Sequence, residues 1–175
     1  MHNIIIIKGS PGVGKTYLSK NLVSRLKKKK LAVIPLDTIL HFDQRKLNEN
    51  KLQLGIKNAG KIARSFLRED FNIIIEYTFD ISADLRLLIE EIKSYKTSNA
   101  GRLKIFIFHL SASYEDVKER NRNRRDGSDP LPERILEKLY RKCEDMRGSI
   151  KEETIINTSN CSFSELLALI ISKVK

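Results

Sequence analysis

An eight-residue segment between an apolar run and an amphipathic stretch constrains the fold of this chain more than any other feature. It matches the pattern GxxxxGK[ST] at every fixed position, and it consists of Gly9, Ser10, Pro11, Gly12, Val13, Gly14, Lys15 and Thr16. Residues 3–8 before it are mostly isoleucine, and the apolar residues after it recur at helical spacing. This order predicts a buried strand, a sharp loop and a helix.

The chemistry of the segment predicts a binding site for nucleotide phosphates. Glycines let successive backbone N–H groups surround phosphate oxygens beside a helix N-terminus. Lys15 is expected to reach the β- and γ-phosphates, and the Thr16 hydroxyl is a ligand that suits Mg²⁺. We therefore predict that residues 9–16 bind ATP with Mg²⁺, the alternative being a glycine-rich turn without chemistry.

Strands and helices alternate along the rest of the chain. Further apolar runs predict strands at 31–36, 72–75, 103–110 and 154–156, and helical periods predict helices at 50–69, 81–95, 113 onward, 132–146 and 164 onward. Because the strands are continuously apolar, they are expected to be covered on both faces. The pattern predicts one domain, residues 1–175, with a three-layer α/β/α fold and a mainly parallel sheet of about five strands.

Two carboxylates follow predicted strands and are candidate catalytic groups. Asp37 and Glu76 fall at strand carboxyl ends, where ligands bind in open parallel sheets. Asp37 is the candidate general base for an acceptor hydroxyl. Glu76 is the candidate outer-sphere ligand of Mg²⁺, or a residue that orients the acceptor. The alternative for each is a helix-capping acid without chemistry.

An arginine-rich segment before a turn predicts a lid over residues 119–134. On a helix, Arg120 and Arg124 lie one turn apart, so both are expected to point at one anion, for which the planar guanidinium is suited. Closure of such a lid over ATP would exclude water from the reaction. A solvated basic face or a nucleic-acid patch is the alternative.

Several classes of nucleotide protein are disfavoured by what the chain lacks. No Asn-Lys-x-Asp tetrapeptide is present, which argues against a signalling GTPase, and the third strand ends in one acid rather than the pair usual in motor ATPases. A small kinase remains the best match, because phosphoryl transfer requires positioning, a metal ion and charge stabilisation.

Four segments carry a family resemblance: the phosphate loop, the strand ending at Asp37, the strand ending at Glu76 and the arginine segment. Together they resemble P-loop kinases of the polynucleotide kinase group, within the nucleoside monophosphate kinase-like fold. The resemblance implies a P-loop NTPase fold, Asp37 as general base and Arg124 as the lid arginine. It also implies that the loop beginning at Asn157 lies near the adenine. The chain departs from the group on the acceptor side, with Leu40 where an arginine is usual and Arg45 as the nearest arginine.

Composition adds limits on location and partners. The 175 residues carry a net charge of +11, and residues 1–36 hold eight basic residues and no acidic one. Because Lys15 and the lid arginines already serve a polyanionic nucleotide, the charge is weak evidence for a nucleic-acid partner. Two cysteines without metal-site spacing and the lack of a long apolar run predict a cytoplasmic protein that binds no membrane. No obligate protein partner is expected.

The sequence therefore predicts an ATP- and Mg²⁺-dependent kinase that phosphorylates a hydroxyl of a nucleoside, nucleotide or nucleic-acid end. Two alternatives stay open. The acceptor could be a nucleoside monophosphate or another small metabolite, or ATP could instead control the affinity of a non-catalytic binding protein.

Overall fold

The polypeptide forms a parallel sheet with helices on both of its faces. The structure is a computed structural model that describes residues 2–26, 30–41, 48–94, 103–124 and 129–174. Its strands are β1 (His2–Lys8), β2 (Leu31–Pro35), β3 (Asn72–Tyr77), β4 (Leu103–Ser111) and β5 (Glu153–Asn157). Its helices are α1 (Lys15–Arg25), α2 (Leu36–Leu40), α3 (Glu49–Arg68), α4 (Ser82–Lys93), α5 (Tyr114–Arg122), α6 (Glu133–Asp145) and α7 (Phe163–Val174).

The strand order is β2-β3-β1-β4-β5, and every neighbouring pair is parallel. The strand β1 is central, with Ile7 opposite Glu76 of β3 and Phe108 of β4. Because β1 leads directly into the phosphate loop, that loop begins at the middle of the carboxyl edge of the sheet. The predicted three-layer α/β/α architecture with five parallel strands is confirmed.

Alternation along β1 divides the core into two layers. Ile4 and Ile6 pack with residues of α3 and α4 on one face, whereas Ile5 and Ile7 pack with residues of α1 and α7 on the other. All four isoleucines are at most 1% exposed. A strand buried on both faces explains why its sequence is continuously apolar.

One short helix, α2, was not predicted. The apolar run 31–36 predicts a strand ending at Asp37, but β2 ends at Pro35, which is the N-cap residue of α2. Leu36 and Leu40 lie one helical turn apart and are both buried. Their burial on a common face, rather than the local sequence, selects the helix.

No helix within the described residues is both long enough and apolar enough to cross a membrane. The segment between the predicted helix at 81–95 and the predicted strand at 103–110 lies outside the described residues, as does Arg45. The strand β4 begins at Leu103, as predicted.

Candidate functional site

The loop between β1 and α1 folds back on the sheet because of its first glycine. Gly9 has a φ of 140°, and a Cβ atom there would lie 2.2 Å from the carbonyl oxygen of Leu110. Its N–H donates to the carbonyl of Thr78 over 3.3 Å. No side chain fits at this position, since the loop runs directly against the ends of β3 and β4.

The N-terminus of α1 is open to an anion. Gly14 is its N-cap residue, with a φ of 97° and no capping side chain, and the first turn contains no acidic residue. A Cβ atom at Gly14 would have no neighbour within 4 Å among the described residues. The first-turn N–H groups of a helix have no partner within the helix, and the open space beside Gly14 leaves room there for a phosphate group.

Lys15 bends back over the loop. Its Nζ donates to the carbonyls of Gly9 and Ser10, both over 3.0 Å. Burial lowers the pKa of Lys15, and among neighbouring charges the Asp37 carboxylate acts most strongly to raise it, with Glu76 acting in the same direction. The ammonium thus lies inside the loop, with the two predicted carboxylates nearby.

Thr16 and Glu76 form a small oxygen cluster with Ser19. The Ser19 hydroxyl lies 3.2 Å from Glu76 Oε2 and 3.1 Å from the Thr16 carbonyl. Burial raises the pKa of Glu76, and hydrogen bonds from Ser19 and Thr16 together with the Lys15 charge act against that rise. Hydroxyl and carboxylate oxygens are ligands that Mg²⁺ prefers.

A protein-only metal site is absent from the described part of the chain. No group of three or more histidine, cysteine, aspartate or glutamate residues is arranged there to hold a metal ion. The cluster of Thr16 and Glu76 fits a Mg²⁺ ion that takes its remaining ligands from phosphates and water, as this ion usually does.

Asp37 lies on α2 instead of at the end of a strand. It occupies the first turn of the helix and is exposed, while Leu36 beside it is fully buried. The prediction that Asp37 directly follows the strand is therefore wrong, because β2 ends at Pro35 and Asp37 belongs to the helix α2. The carboxylate nonetheless acts on Lys15, Glu76 and Tyr77, so it lies at the carboxyl edge as predicted.

The two predicted lid arginines do not share a helical face. The helix α5 ends at Arg122, so Arg124 lies beyond it, although its charge still acts on Lys15. Arg120 instead donates to the Thr158 hydroxyl over 3.0 Å and to the Thr158 carbonyl over 3.2 Å. The prediction that both arginines point at one anion assumed a helix that continues through Arg124. The helix α5 instead ends at Arg122, with Asn123 as its C-cap residue.

The base of the predicted lid is closed by one buried asparagine. Asn121 donates to the carbonyl of Leu131 over 2.9 Å and accepts from its N–H over 3.0 Å. These paired bonds hold the two ends of the turn together, while residues 125–128 lie outside the described residues.

Asn157 shapes the loop after β5. Its side-chain oxygen accepts from the N–H of Ser159 over 2.9 Å, and the Ser159 hydroxyl accepts from the N–H of Ser113 over 2.8 Å. The loop is thereby fixed beside the start of α5 and beside Arg120. The proposed proximity of Asn157 to adenine stays a prediction.

Sequence reasoning missed several residues of the site. The helical spacing of the apolar residues in α1 predicts that Val23 shares the buried face with Leu18 and Leu22, but Val23 is exposed. Ser19 is buried instead and reaches Glu76. Cys143 of α6 is also buried near Lys15, and burial raises the pKa of its thiol to about 12, so the group there is neutral. A serine one helical turn after the motif's threonine is the signal that could have identified Ser19.

Comparison with known proteins agrees with this geometry. The family described as Novel STAND NTPase 3 matches residues 1–56, which include the phosphate loop, α1 and Asp37. The tunicamycin resistance protein of Deinococcus radiodurans is 20% identical and superposes with a TM-score of 0.70, covering 99% of this chain and 96% of that chain. The fold is that of the P-loop NTPases.

Kinases of this P-loop fold are among the similar structures. A gluconokinase from Sinorhizobium meliloti 1021 is 14% identical with a TM-score of 0.70, covering 98% of this chain and 91% of that chain. The Mycobacterium tuberculosis APS kinase, solved with AMPPNP and APS, is 12% identical with a TM-score of 0.68, covering 98% of this chain and 96% of that chain. At these identities the similarity extends to the fold. The likeness to the polynucleotide kinase group stays a prediction.

Proposed function

We propose that this protein is an ATP- and Mg²⁺-dependent kinase that transfers the γ-phosphate to a hydroxyl group. The convergence of Lys15, Asp37 and Glu76 beside an open helix N-terminus carries the proposal. Lys15 supplies positive charge for the phosphates, and Asp37 is an exposed carboxylate that an acceptor can reach. The similar structures that are kinases support the reaction class.

In the proposed reaction the acceptor oxygen attacks the γ-phosphorus. The bond from that phosphorus to the β,γ-bridging oxygen breaks, and ADP leaves with the electron pair. Asp37 accepts the proton of the acceptor hydroxyl. Lys15 and Arg124 stabilise the charge on the phosphoryl oxygens, and Arg120 holds the loop that begins at Asn157.

Thr16 is the proposed direct ligand of Mg²⁺, and Glu76 is the proposed outer-sphere ligand. The bound ion would neutralise charge on the phosphates. Ser19 holds the Glu76 carboxylate in place by its hydrogen bond. Because burial raises the pKa of Glu76, a nearby divalent cation would also favour its ionised form.

The substitution Asp37→Asn tests the proposed base. It should lower phosphate transfer at least about 100-fold, the usual contribution of a general base, while leaving Mg-ATP affinity nearly unchanged. Transfer from labelled ATP and ATP binding by calorimetry are the two measurements. Glu152→Gln removes an exposed carboxylate elsewhere and serves as the matched control. Full activity of Asp37→Asn would remove Asp37 from the mechanism.

A second candidate is a binding protein whose partner affinity is controlled by ATP, which the match of residues 1–56 to an NTPase family favours. Under this alternative Mg-ATP binds, no acceptor is phosphorylated, and Arg124 can be replaced without loss of function. A transfer assay with 5′-hydroxyl oligonucleotides, nucleosides, nucleoside monophosphates and sugars distinguishes the two. The sequence-based expectation of a nucleoside, nucleotide or nucleic-acid end is one arm of this panel.

A further inference from the structure

An exposed aromatic ring stands directly after the phosphate loop. Tyr17 is the third residue of α1 and follows Thr16, the last residue of that loop. It is 61% exposed, a larger fraction than for any other large apolar residue of the described part of the chain. Burial therefore contributes little to holding this ring in the fold, and the proposed reaction gives it no role.

A second ring lies against Tyr17. The centroid of the Phe163 ring is 4.5 Å from that of Tyr17, and the two ring planes are tilted by 55°. Phe163 is the first residue of α7 and is partly buried against the core. Aromatic rings at this distance attract each other, so the two residues form one apolar surface at the N-termini of α1 and α7. We call Tyr17 and Phe163 the ring pair.

Phe163 is held in place by the turn that precedes α7. The hydroxyl of Ser162 accepts from the N–H of Glu165 over 3.3 Å, and Glu165 Oε2 accepts from the N–H of Ser162 over 2.7 Å. This reciprocal arrangement is a capping box. The loop before it is anchored as well, since the N–H of Thr158 donates to the carbonyl of Ser111 over 2.8 Å. Phe163 is therefore a fixed support for the exposed ring.

The helix α1 separates the ring pair from Glu76. Residues two positions apart in a helix point to nearly opposite sides, because each residue turns the helix by about 100°. Ser19 uses one side, where its hydroxyl lies 3.2 Å from Glu76 Oε2 in β3. Tyr17 is two positions earlier and contacts Phe163. The two ends of a nucleotide bound at α1 would thus meet different surfaces.

The order of the strands gives the same division. In the order β2-β3-β1-β4-β5, Glu76 lies on one side of the central strand β1, and α7 follows β5 on the other side. In the proposed reaction the γ-phosphate faces Asp37 and Glu76. A nucleotide whose phosphates occupy residues 9–16 therefore extends its ribose and base in the other direction, where the ring pair lies.

Three side-chain oxygens of the loop after β5 are already engaged within the protein. The Asn157 oxygen accepts from the N–H of Ser159, and the Ser159 hydroxyl accepts from the N–H of Ser113. The Thr158 hydroxyl accepts from Arg120 and donates to a carbonyl of β4. These oxygens fix the loop rather than stand ready for the edge of a base, whereas the exposed ring is open to the face of one.

We propose that Tyr17, supported by Phe163, stacks on the base of the donor nucleotide. This inference rests on the proposed kinase function and states how the same site holds the nucleoside part of its donor. Stacking requires only the face of a base, which every base has, so the site should discriminate weakly between bases. We expect GTP to replace ATP, with affinities that differ by less than about tenfold.

Calorimetry of the full-length protein with Mg-ATP, Mg-GTP and Mg-tripolyphosphate tests the inference. Tyr17→Leu removes the ring and keeps an apolar side chain that suits a helix. It should bind ATP and GTP about tenfold or more weakly, the usual loss for a stacked aromatic residue, and bind tripolyphosphate unchanged. Retained binding of tripolyphosphate also shows that the phosphate loop is folded. Tyr17→Phe keeps the ring and should bind all three ligands like the original protein.

Phe66→Leu is the matched control. Phe66 of α3 is 36% exposed, and its ring centroid lies 5.5 Å from that of Phe71, so this variant removes a comparable ring elsewhere and should leave ATP binding unchanged. The inference is overturned if Tyr17→Leu binds ATP as tightly as the original protein, or loses tripolyphosphate affinity to the same extent. A loss in Tyr17→Phe equal to that in Tyr17→Leu, or a difference between ATP and GTP above about tenfold, would also overturn it.

Phosphate transfer separates this inference from the proposed function. Binding of ATP and GTP that depends on Tyr17, without transfer to any acceptor, would contradict the kinase and leave the ring pair as a nucleotide contact. Transfer by Tyr17→Leu with an unchanged KM for ATP would support the kinase and overturn the stacking. A raised KM for both ATP and GTP with kcat nearly retained in Tyr17→Leu supports both.

Discussion

Substitutions at two glycines with similar backbone angles can distinguish the cost of backbone strain from the loss of a binding site. Gly14 in the phosphate loop and Gly148 after α6 have φ values of 97° and 76°, and a Cβ atom at either position would have no described neighbour within 4 Å. Both positions are therefore strained for any other residue, without a steric clash. They differ in their surroundings, because only Gly14 lies at the open N-terminus of α1.

Gly14→Ala and Gly148→Ala should each destabilise the protein by about 1–2 kcal/mol, the cost of left-handed backbone for an L-residue. Only Gly14→Ala should weaken ATP binding, because its methyl group projects into the space that suits a phosphate. Thermal unfolding and calorimetric ATP titration measure the two effects. Equal losses of ATP affinity in both variants would contradict the assignment of the phosphate site.

At the scale of elements, α5 and the loop after β5 are joined by one arginine. Arg120 bonds Thr158, whose hydroxyl donates to the carbonyl of Ser111 at the end of β4 over 3.0 Å. Arg124 lies past the end of the helix, where its charge acts on Lys15. The two arginines are thus placed differently, since one contacts the loop after β5 and the charge of the other acts on Lys15.

Arg120→Ala should raise the KM for ATP severalfold with kcat changed less than about twofold, because a loop is loosened and no reacting atom loses a contact. Arg124→Ala should lower kcat about 100-fold or more, as for other groups that stabilise transition-state charge. Steady-state kinetics with ATP as the varied substrate separates these outcomes. Arg122→Ala, at an exposed position of the same helix, is the control. If Arg120→Ala lowered kcat as much as Arg124→Ala, the proposal that the two arginines have different roles would be disproved.

Across the whole molecule, a buried charged cluster joins three strands beneath the phosphate loop. Lys8 of β1 pairs with Glu153 of β5 at 2.8 Å, and His109 of β4 lies 3.5 Å from the same carboxylate. Lys8 also donates to the carbonyl of Met146 over 3.3 Å. Burial and the Lys8 charge lower the pKa of His109 to about 4, so the folded protein holds this imidazole neutral.

Stability should therefore depend on pH through His109. Above about pH 6.5 the imidazole is neutral in both states, whereas at lower pH the unfolded chain binds the proton first. The free energy of unfolding should fall as the pH drops from 6.5 toward 4, by up to about 3 kcal/mol at 1.36 kcal/mol per pKa unit. Urea unfolding across this range measures the slope.

His109→Gln should reduce this pH dependence, while His41→Gln, which changes an exposed histidine, should retain it. The comparison uses the difference in slope, so a general loss of stability in His109→Gln does not obscure the result. Identical slopes for the original protein and His109→Gln would assign the dependence to other groups.

Local sequence determined the phosphate loop and the type of sheet. The conformation of residues 9–16 depends on glycines within the loop itself, and the burial of β1 on both faces is visible in its continuous isoleucines. Such features arise from neighbours in the chain, so pattern and spacing suffice to predict them. The approach of Asp37 and Glu76 to Lys15 followed as well, since parallel strands end at a common edge.

Tertiary structure alone decided which charged groups surround the end of β3 and where the two arginines lie. Glu49, Tyr77, Asp84 and Lys142 come from four different helices and strands, and their meeting depends on how these elements pack. The helix α2 forms because Leu36 and Leu40 have a core to bury against, and α5 ends before Arg124. Contacts between distant residues leave no periodic signal in the sequence, so only the folded chain shows which charges act on Tyr77 and Asp84.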